Sequence, residues 1–242
     1  MEGVWTITDF SIAPYPMAIL ASFAAGFGLV YGILRRQGHP RNIVGYSLAL
    51  ILLTTLYGAR FYGVAVSGFQ KNLLTSGTSS LGGAIGVLLS VILMGKIYPP
   101  VREDLWRTFC MALPLMYGIA KTGCFLAGCC YGIPYDGPLA IAYRNSQAQT
   151  GPVFPIQFLE SAVFLMIFFV GLWLHAGKKS RHTASWVILL CAIAKFSLEY
   201  LRQEHVGRGI TANQWVCVVF FLTAVISLVR AGNTGAEETA GA

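Results

Sequence analysis

Seven apolar stretches, most of them close to the roughly 20 residues that carry a helix across a bilayer, leave this chain little choice of solvent. They run at about Pro16–Leu34, Ile43–Val66, Leu81–Leu93, Thr108–Ala127, Pro155–Leu174, Ser185–Leu201 and Ala212–Val229, the third being the shortest. In hydrocarbon every backbone N–H and C=O must be satisfied internally, which favours helices. Composition agrees: 55% of the 242 residues are hydrophobic and 11% are charged, too little charge to cover a soluble domain. The expectation is an all-α integral membrane protein, with one seven-helix transmembrane domain over residues 1–231. The small, acidic segment 232–242 reads as a disordered tail.

Lys and Arg set the orientation. The connections after the first, third and fifth stretches hold Arg35, Arg36 and Arg41, then Lys96, Arg102 and Arg107, then Lys178, Lys179 and Arg181. The opposite connections hold Lys71, then Arg144, then Arg202 and Arg208. The N-terminus is therefore expected outside and the C-terminus in the cytoplasm. The formal net charge of +7 follows from this bias and gives no argument for nucleic-acid binding. With Glu2 and Asp9 and no basic run, the N-terminus does not look like a cleaved signal peptide.

Charge inside an apolar stretch is costly, so each instance is a candidate site residue. Arg60, Lys121, Glu160, Glu199 and Arg202 all fall toward the outer ends of their helices in this topology, and Lys195 lies one turn deeper than Glu199. Singly, Arg202 can snorkel to the interface and Lys195 can pair with Glu199 at i,i+4 spacing. Convergence from four stretches points instead to an outer-face pocket with surplus positive charge, suited to the phosphate of a phospholipid. Tyr62, Asn213 and Gln214 add polar groups at the same level, with an interfacial polar belt as the alternative. Gly28 with Gly32, and Gly82 with Gly86, have the spacing of close helix packing.

The segment from Lys121 to Gly132 ends the fourth stretch with Gly123, Gly128 and Gly132, which let backbone approach a ligand or a neighbouring helix. It also carries Cys124, Cys129 and Cys130, which allow packing, a disulfide whose pairing the spacing leaves open, or a nucleophilic thiol at Cys124 or Cys129. Only His205 offers a nearby fourth ligand, so no metal and no cofactor are expected. Cys110, Cys191 and Cys217 read as small buried thiols.

Six segments in order, Tyr57–Tyr62, Leu81–Gly86, Lys121–Gly132, Pro155–Glu160, Leu198–Arg202 and Ile210–Gln214, make the chain similar to the bacterial prolipoprotein diacylglyceryl transferase family. The resemblance implies a multi-pass enzyme of the bacterial inner membrane. It would move the diacylglyceryl group of phosphatidylglycerol to the cysteine thiol of a lipobox-containing preprolipoprotein, or another thiol acceptor, and release glycerol phosphate. It assigns catalytic positions to Lys121, Glu160, Glu199 and Arg202. Substrate-binding positions are Arg60, Tyr62, Gly82, Gly83, Gly123, Gly128, Gly132, Gln157, Asn213 and Gln214. The chain departs from the family pattern at Lys121 for arginine, Cys124 for asparagine, and Leu81 and Phe154 for two histidines. A histidine base is thus replaced, leaving Glu160, Glu199 or Lys121 to accept the acceptor's proton. Two alternatives follow: a non-catalytic protein of this fold that binds anionic lipid or carries a small anion, and a thiol-redox protein built on the cysteines.

Overall fold

The computed structural model describes residues 5–7, 14–66, 69–70, 72–73, 80–143, 151–176, 182–203, 206–207, 209–240. His205 and the basic residues Lys71, Arg144, Lys178, Lys179, Arg181 and Arg208 lie outside the described residues. Helices occupy every stretch expected to be one: α1 Pro14–Arg36, α2 Arg41–Val66, α3 Ser80–Ile97, α4 Arg102–Ala127, α5 Ile156–Ala176, α6 Thr183–Glu199 and α7 Ala212–Ala240. Five of the segments, Tyr15–Arg36, Arg41–Ala65, Pro99–Ala127, Ile156–Ala176 and Asn213–Arg230, are long and apolar enough to cross a membrane. The Gly82–Ile97 segment is shorter, and α6 has 17 residues. Large apolar side chains such as Leu53, Phe158, Met166, Trp173 and Trp215 stand exposed on the helix surfaces. Lipid accepts such faces, and water does not over so wide an area.

Helix ends depart from expectation where local chemistry intervenes. α4 begins several residues early, at Arg102, because Glu103 and Asp104 in its first turn complement the positive end of the helix dipole. α6 stops at Glu199, and Leu201 to Gln203 turn away to bond the segment around Gly132. α7 continues as helical backbone beyond Arg230 to Ala240, through the small acidic stretch. Besides helices there is a two-stranded parallel pairing of β1, Trp5–Ile7, with β2, Ile141–Tyr143, in register Trp5 to Ile141 and Ile7 to Tyr143. β2 also bridges Val153 in antiparallel sense, and Ile141, Tyr143 and Val153 form a small buried cluster with Phe125 and Tyr131 packed on it.

The chain folds into two compact units, one of Met1–Gly26 with Cys110–Ala242 and one of Phe27–Phe109. In the second, α2 and α3 lie backbone to backbone. A Cβ on Gly86 would stand 2.1 Å from the Thr54 carbonyl oxygen, and one on Gly58 would stand 2.4 Å from that of Gly82. This is the small-residue packing that membrane helices use in place of a hydrophobic driving force. Thr54 and Ser90 hydroxyls share a hydrogen bond across the same seam. Gly28 and Gly32, by contrast, have nothing within 4 Å of a built Cβ, so the close packing expected of that pair is absent among the described residues. At the other end of this unit buried His39 meets Asp104 at 2.9 Å.

In the first unit α5 packs on α4 through Gly118, where a Cβ would reach 2.9 Å from Leu165, and the Ser161 hydroxyl donates to the Gly118 carbonyl at 2.9 Å. Ile156, Phe164 and Leu198 make the local core, with Tyr117, Phe154 and Leu201 against it. These contacts set the register of α4, α5 and α6, and so the level at which their polar residues meet.

Candidate functional site

Four helix ends and one loop of the first unit come together around Glu160. It sits in the second turn of α5 with no exposure to solvent. Its carboxylate takes Lys121 Nζ from α4 at 2.6 Å on one oxygen, and Lys195 Nζ from α6 at 2.8 Å on the other. The Tyr117 hydroxyl donates to that second oxygen at 3.0 Å. Both ammonium groups also lie over the Tyr117 ring, at 5.2 Å and 5.4 Å from its centroid. A cation over an aromatic face is attracted by the ring quadrupole, so Tyr117 serves both lysines while its hydroxyl holds their counter-ion. Phe164 fixes the ring from behind, centroid to centroid 4.3 Å.

The network continues to the end of α6. Lys195 Nζ reaches Glu199 at 3.3 Å, and the Asn213 amide of α7 donates to the other Glu199 oxygen at 3.0 Å. Arg202, just past α6, has its guanidinium 3.6 Å from Glu199, too far for a hydrogen bond, and its buried Nε has no hydrogen-bond partner among the described residues. Three cations thus share two carboxylates, and Arg202 is the least satisfied of them. A buried guanidinium with an unused donor costs free energy until an acceptor fills it, and its planar fork matches a phosphate.

Backbone bonds hold Arg202 in place. The Gly132 N–H donates to the Phe154 carbonyl at 3.1 Å, the Ile133 N–H to the Leu201 carbonyl at 3.1 Å, and the Gln203 N–H to the Tyr131 carbonyl at 3.3 Å. Gly132 is required here, since a Cβ would come 2.5 Å from the Phe154 carbonyl oxygen and 3.0 Å from that of Leu201. Gln157, fully buried, donates to the Cys129 carbonyl at 2.8 Å and ties α5 to the cysteine loop. The loop turns at Gly128, φ 65°, which favours glycine, while Gly123 is buried inside α4.

Lys121, Glu160, Glu199, Arg202 and Asn213 therefore join one network, with Gln157, Cys124 and Gly132 beside it. Gln214 has a different job: its side-chain carbonyl accepts from the Thr211 N–H at 3.0 Å while the Thr211 hydroxyl accepts from the Gln214 N–H at 3.3 Å. This is a capping box at the start of α7, readable in the sequence as Thr-x-x-Gln. Arg60, Tyr62, Gly82 and Gly83 belong to the other unit. There Arg60 donates to the Leu73 carbonyl at 3.1 Å, and Gly82 is pressed against Gly58 and Tyr62. Two site residues were underweighted by sequence reasoning, Tyr117 and the doubly bridging Lys195. Their signal was i,i+4 spacing, Tyr117 with Lys121 and Lys195 with Glu199, which puts each pair on one helix face.

Glu160 is ion-paired to two ammonium groups and accepts hydrogen bonds from Lys195 and Tyr117 on one oxygen, which makes it the common counter-ion of the cluster. The arrangement is a largely buried cluster of three cations and two carboxylates held by helix ends.

The same positions fall within a wider match. Residues 2–230 match the prolipoprotein diacylglyceryl transferase family. The phosphatidylglycerol–prolipoprotein diacylglyceryl transferase of Tolumonas auensis is 27% identical over 237 residues, covering 89% of each chain. That of Chromohalobacter salexigens is 24% identical over 90% of this chain and 85% of its own, and that of Clostridium tetani is 29% identical over 55% of each. With the family match running through every helix that shapes the ionic network, the chain belongs to the prolipoprotein diacylglyceryl transferase family.

Proposed function

We propose that this chain transfers the diacylglyceryl group of phosphatidylglycerol to the cysteine thiol of a prolipoprotein, the reaction for which its relatives are named. The observation that carries the reading is the buried, under-satisfied Arg202 beside Lys121, in a network with more cations than carboxylates. Arg202 and Lys121 would take the phosphate, Arg202 through its fork and Lys121 as a point charge. The acceptor thiolate attacks the glyceryl carbon, the C–O bond to phosphate breaks, and glycerol phosphate leaves with the bonding electrons. Preorganised cations stabilise that departing charge most in a site closed to water. Glu160, Glu199, Tyr117 and Lys195 position the cations, Asn213 steadies Glu199, and Gln157 and Gly132 hold the neighbouring loop.

The proposed setting is a seven-span protein of the bacterial inner membrane with its N-terminus outside. The pocket then opens near the outer face, where a secreted acceptor arrives. The test uses purified protein in detergent, phosphatidylglycerol and a lipobox peptide. Mass spectrometry should show the peptide gaining one diacylglyceryl group as glycerol phosphate appears. Tightly bound phosphatidylglycerol with no product, at any acceptor concentration, would make it a lipid-binding protein instead.

A further inference from the structure

We propose that Cys124, Cys129 and Cys130 form a three-thiolate site for a zinc-class divalent cation, and that the cation's remaining position takes the acceptor thiol. The second half rests on the transferase reading above. The three sulfur atoms lie within 4.8 Å of one another, and among the described residues no histidine or carboxylate groups with them. Zinc–sulfur bonds of about 2.3 Å in tetrahedral geometry set thiolates about 3.8 Å apart, so closing on an ion takes shifts of about an ångström.

The convergence is built by the backbone. α4 ends at Ala127, and the chain then turns through two left-handed residues, Gly128 at φ 65° and Cys130 at φ 57°. Glycine adopts that region freely; cysteine does not, and a residue held there against its preference points to a functional constraint. The loop is pinned as well: the Cys129 N–H donates to the Cys124 carbonyl at 3.1 Å, and Gln157 holds the Cys129 carbonyl. Cys124 is buried while Cys129 and Cys130 are half-buried, which leaves a way in for a ligand.

The ligand set selects the ion. Thiolates favour soft or borderline cations over magnesium or calcium, and three protein ligands with an open position are the pattern of catalytic rather than structural zinc. Three thiolates on a dication carry one net negative charge; Lys121 lies one helical turn before Cys124 on α4, and the Gln203 N–H, next to Arg202, bonds the carbonyl of Tyr131, next to Cys130. The cation site is therefore contiguous with the proposed phosphate seat.

That contiguity fits the chemistry. An acceptor thiol binding the cation through sulfur releases its proton to water. The bound thiolate's electron pair forms the new C–S bond, the C–O bond to phosphate breaks, and glycerol phosphate takes that electron pair; nothing is oxidised or reduced. A cation in this position supplies the thiolate that a histidine base would otherwise generate, and on this account Cys124 is a ligand and not a nucleophile.

The experiment strips the purified full-length protein with a chelator and titrates it with Co²⁺, reading thiolate-to-cobalt charge transfer and d–d absorption. One Co²⁺ per chain with a three-thiolate spectrum is expected, lost in the Cys124→Ser/Cys129→Ser/Cys130→Ser variant and kept in Cys110→Ser/Cys191→Ser/Cys217→Ser. Adding a lipobox peptide should shift the spectrum toward four thiolates, and its serine analogue should not. In the wild type alone, Zn²⁺ should protect these three cysteines from maleimide, which keeps the test valid if the triple variant fails to fold. No charge-transfer band in the wild type, a band that survives the triple substitution, or a disulfide among the three in unreduced protein overturns the proposal. Full diacylglyceryl transfer by metal-stripped protein sinks the cation and leaves the transferase reading standing. A correct peptide-dependent spectrum without product does the reverse.

Discussion

The α2–α3 seam and the ionic network, one in each compact unit, hold helices together by opposite means. In Phe27–Phe109, α2 and α3 meet where glycines remove side chains, with Gly58, Gly82 and Gly86 against carbonyl oxygens and the Thr54–Ser90 bond across the seam, while the buried His39–Asp104 pair lies away from it. In the other unit α4, α5, α6 and α7 meet at Glu160 and Glu199, through charges that are expensive to bury. Glycine packing buys proximity at small electrostatic cost and offers a ligand nothing. A buried ionic network costs desolvation and is weak evidence for stability, so its presence is better explained by a ligand than by the fold. On the proposed function, we assign scaffold to the α2–α3 seam and chemistry to the ionic network.

Substitutions can break that assignment. The largest stability effect is expected from Glu160→Ala, which leaves Lys121 and Lys195 buried without their shared counter-ion. Breaking such a pair costs about 3–5 kcal/mol, read as a fall in the midpoint of unfolding in detergent. Adding Lys195→Met should restore part of the loss, because one of the two stranded charges is then removed. Next comes Gly86→Ala in the other unit, where the new methyl meets a carbonyl oxygen and not a yielding side chain. Overpacking of this kind costs about 1–3 kcal/mol, seen as lower folded yield by size exclusion. Asn213→Ala removes one hydrogen bond to Glu199 and should cost about 1 kcal/mol, with a several-fold fall in transferase turnover. Gly28→Ala, with nothing within 4 Å of a built Cβ among the described residues, should shift stability by less than about 0.5 kcal/mol. If Gly28→Ala proves as harmful as Gly86→Ala, the contrast between glycine seams and open glycines fails.

Much of this was legible in the chain because membrane helices announce themselves. Uninterrupted apolar runs mark all seven α-helices among the described residues, and the charges stranded within or at the ends of them include Lys121, Glu160, Glu199 and Arg202, which the structure brings into one ionic network. What stayed hidden depended on partners far away in sequence. The end of α6 at Glu199 is set by backbone bonds between Leu201–Gln203 and Tyr131–Ile133, which no local propensity encodes. The parallel pairing of Trp5–Ile7 with Ile141–Tyr143 likewise joins segments too short and too distant to carry a pattern. Tyr117 looks like any interior aromatic until its hydroxyl is seen on Glu160. Gln214 also caps α7, a role its Thr-x-x-Gln spacing carries in plain view.

The most direct test of the phosphate seat is Arg202→Gln, assayed for diacylglyceryl transfer beside the wild type with folding checked by thermal unfolding in detergent. Because Arg202 is only loosely paired with Glu199, the variant should stay folded. Its turnover should drop about 10²–10³-fold, the usual effect of removing one preorganised charge-stabilising donor, with Arg202→Lys recovering only part. A folded Arg202→Gln protein that transfers the diacylglyceryl group at the wild-type rate would contradict the account.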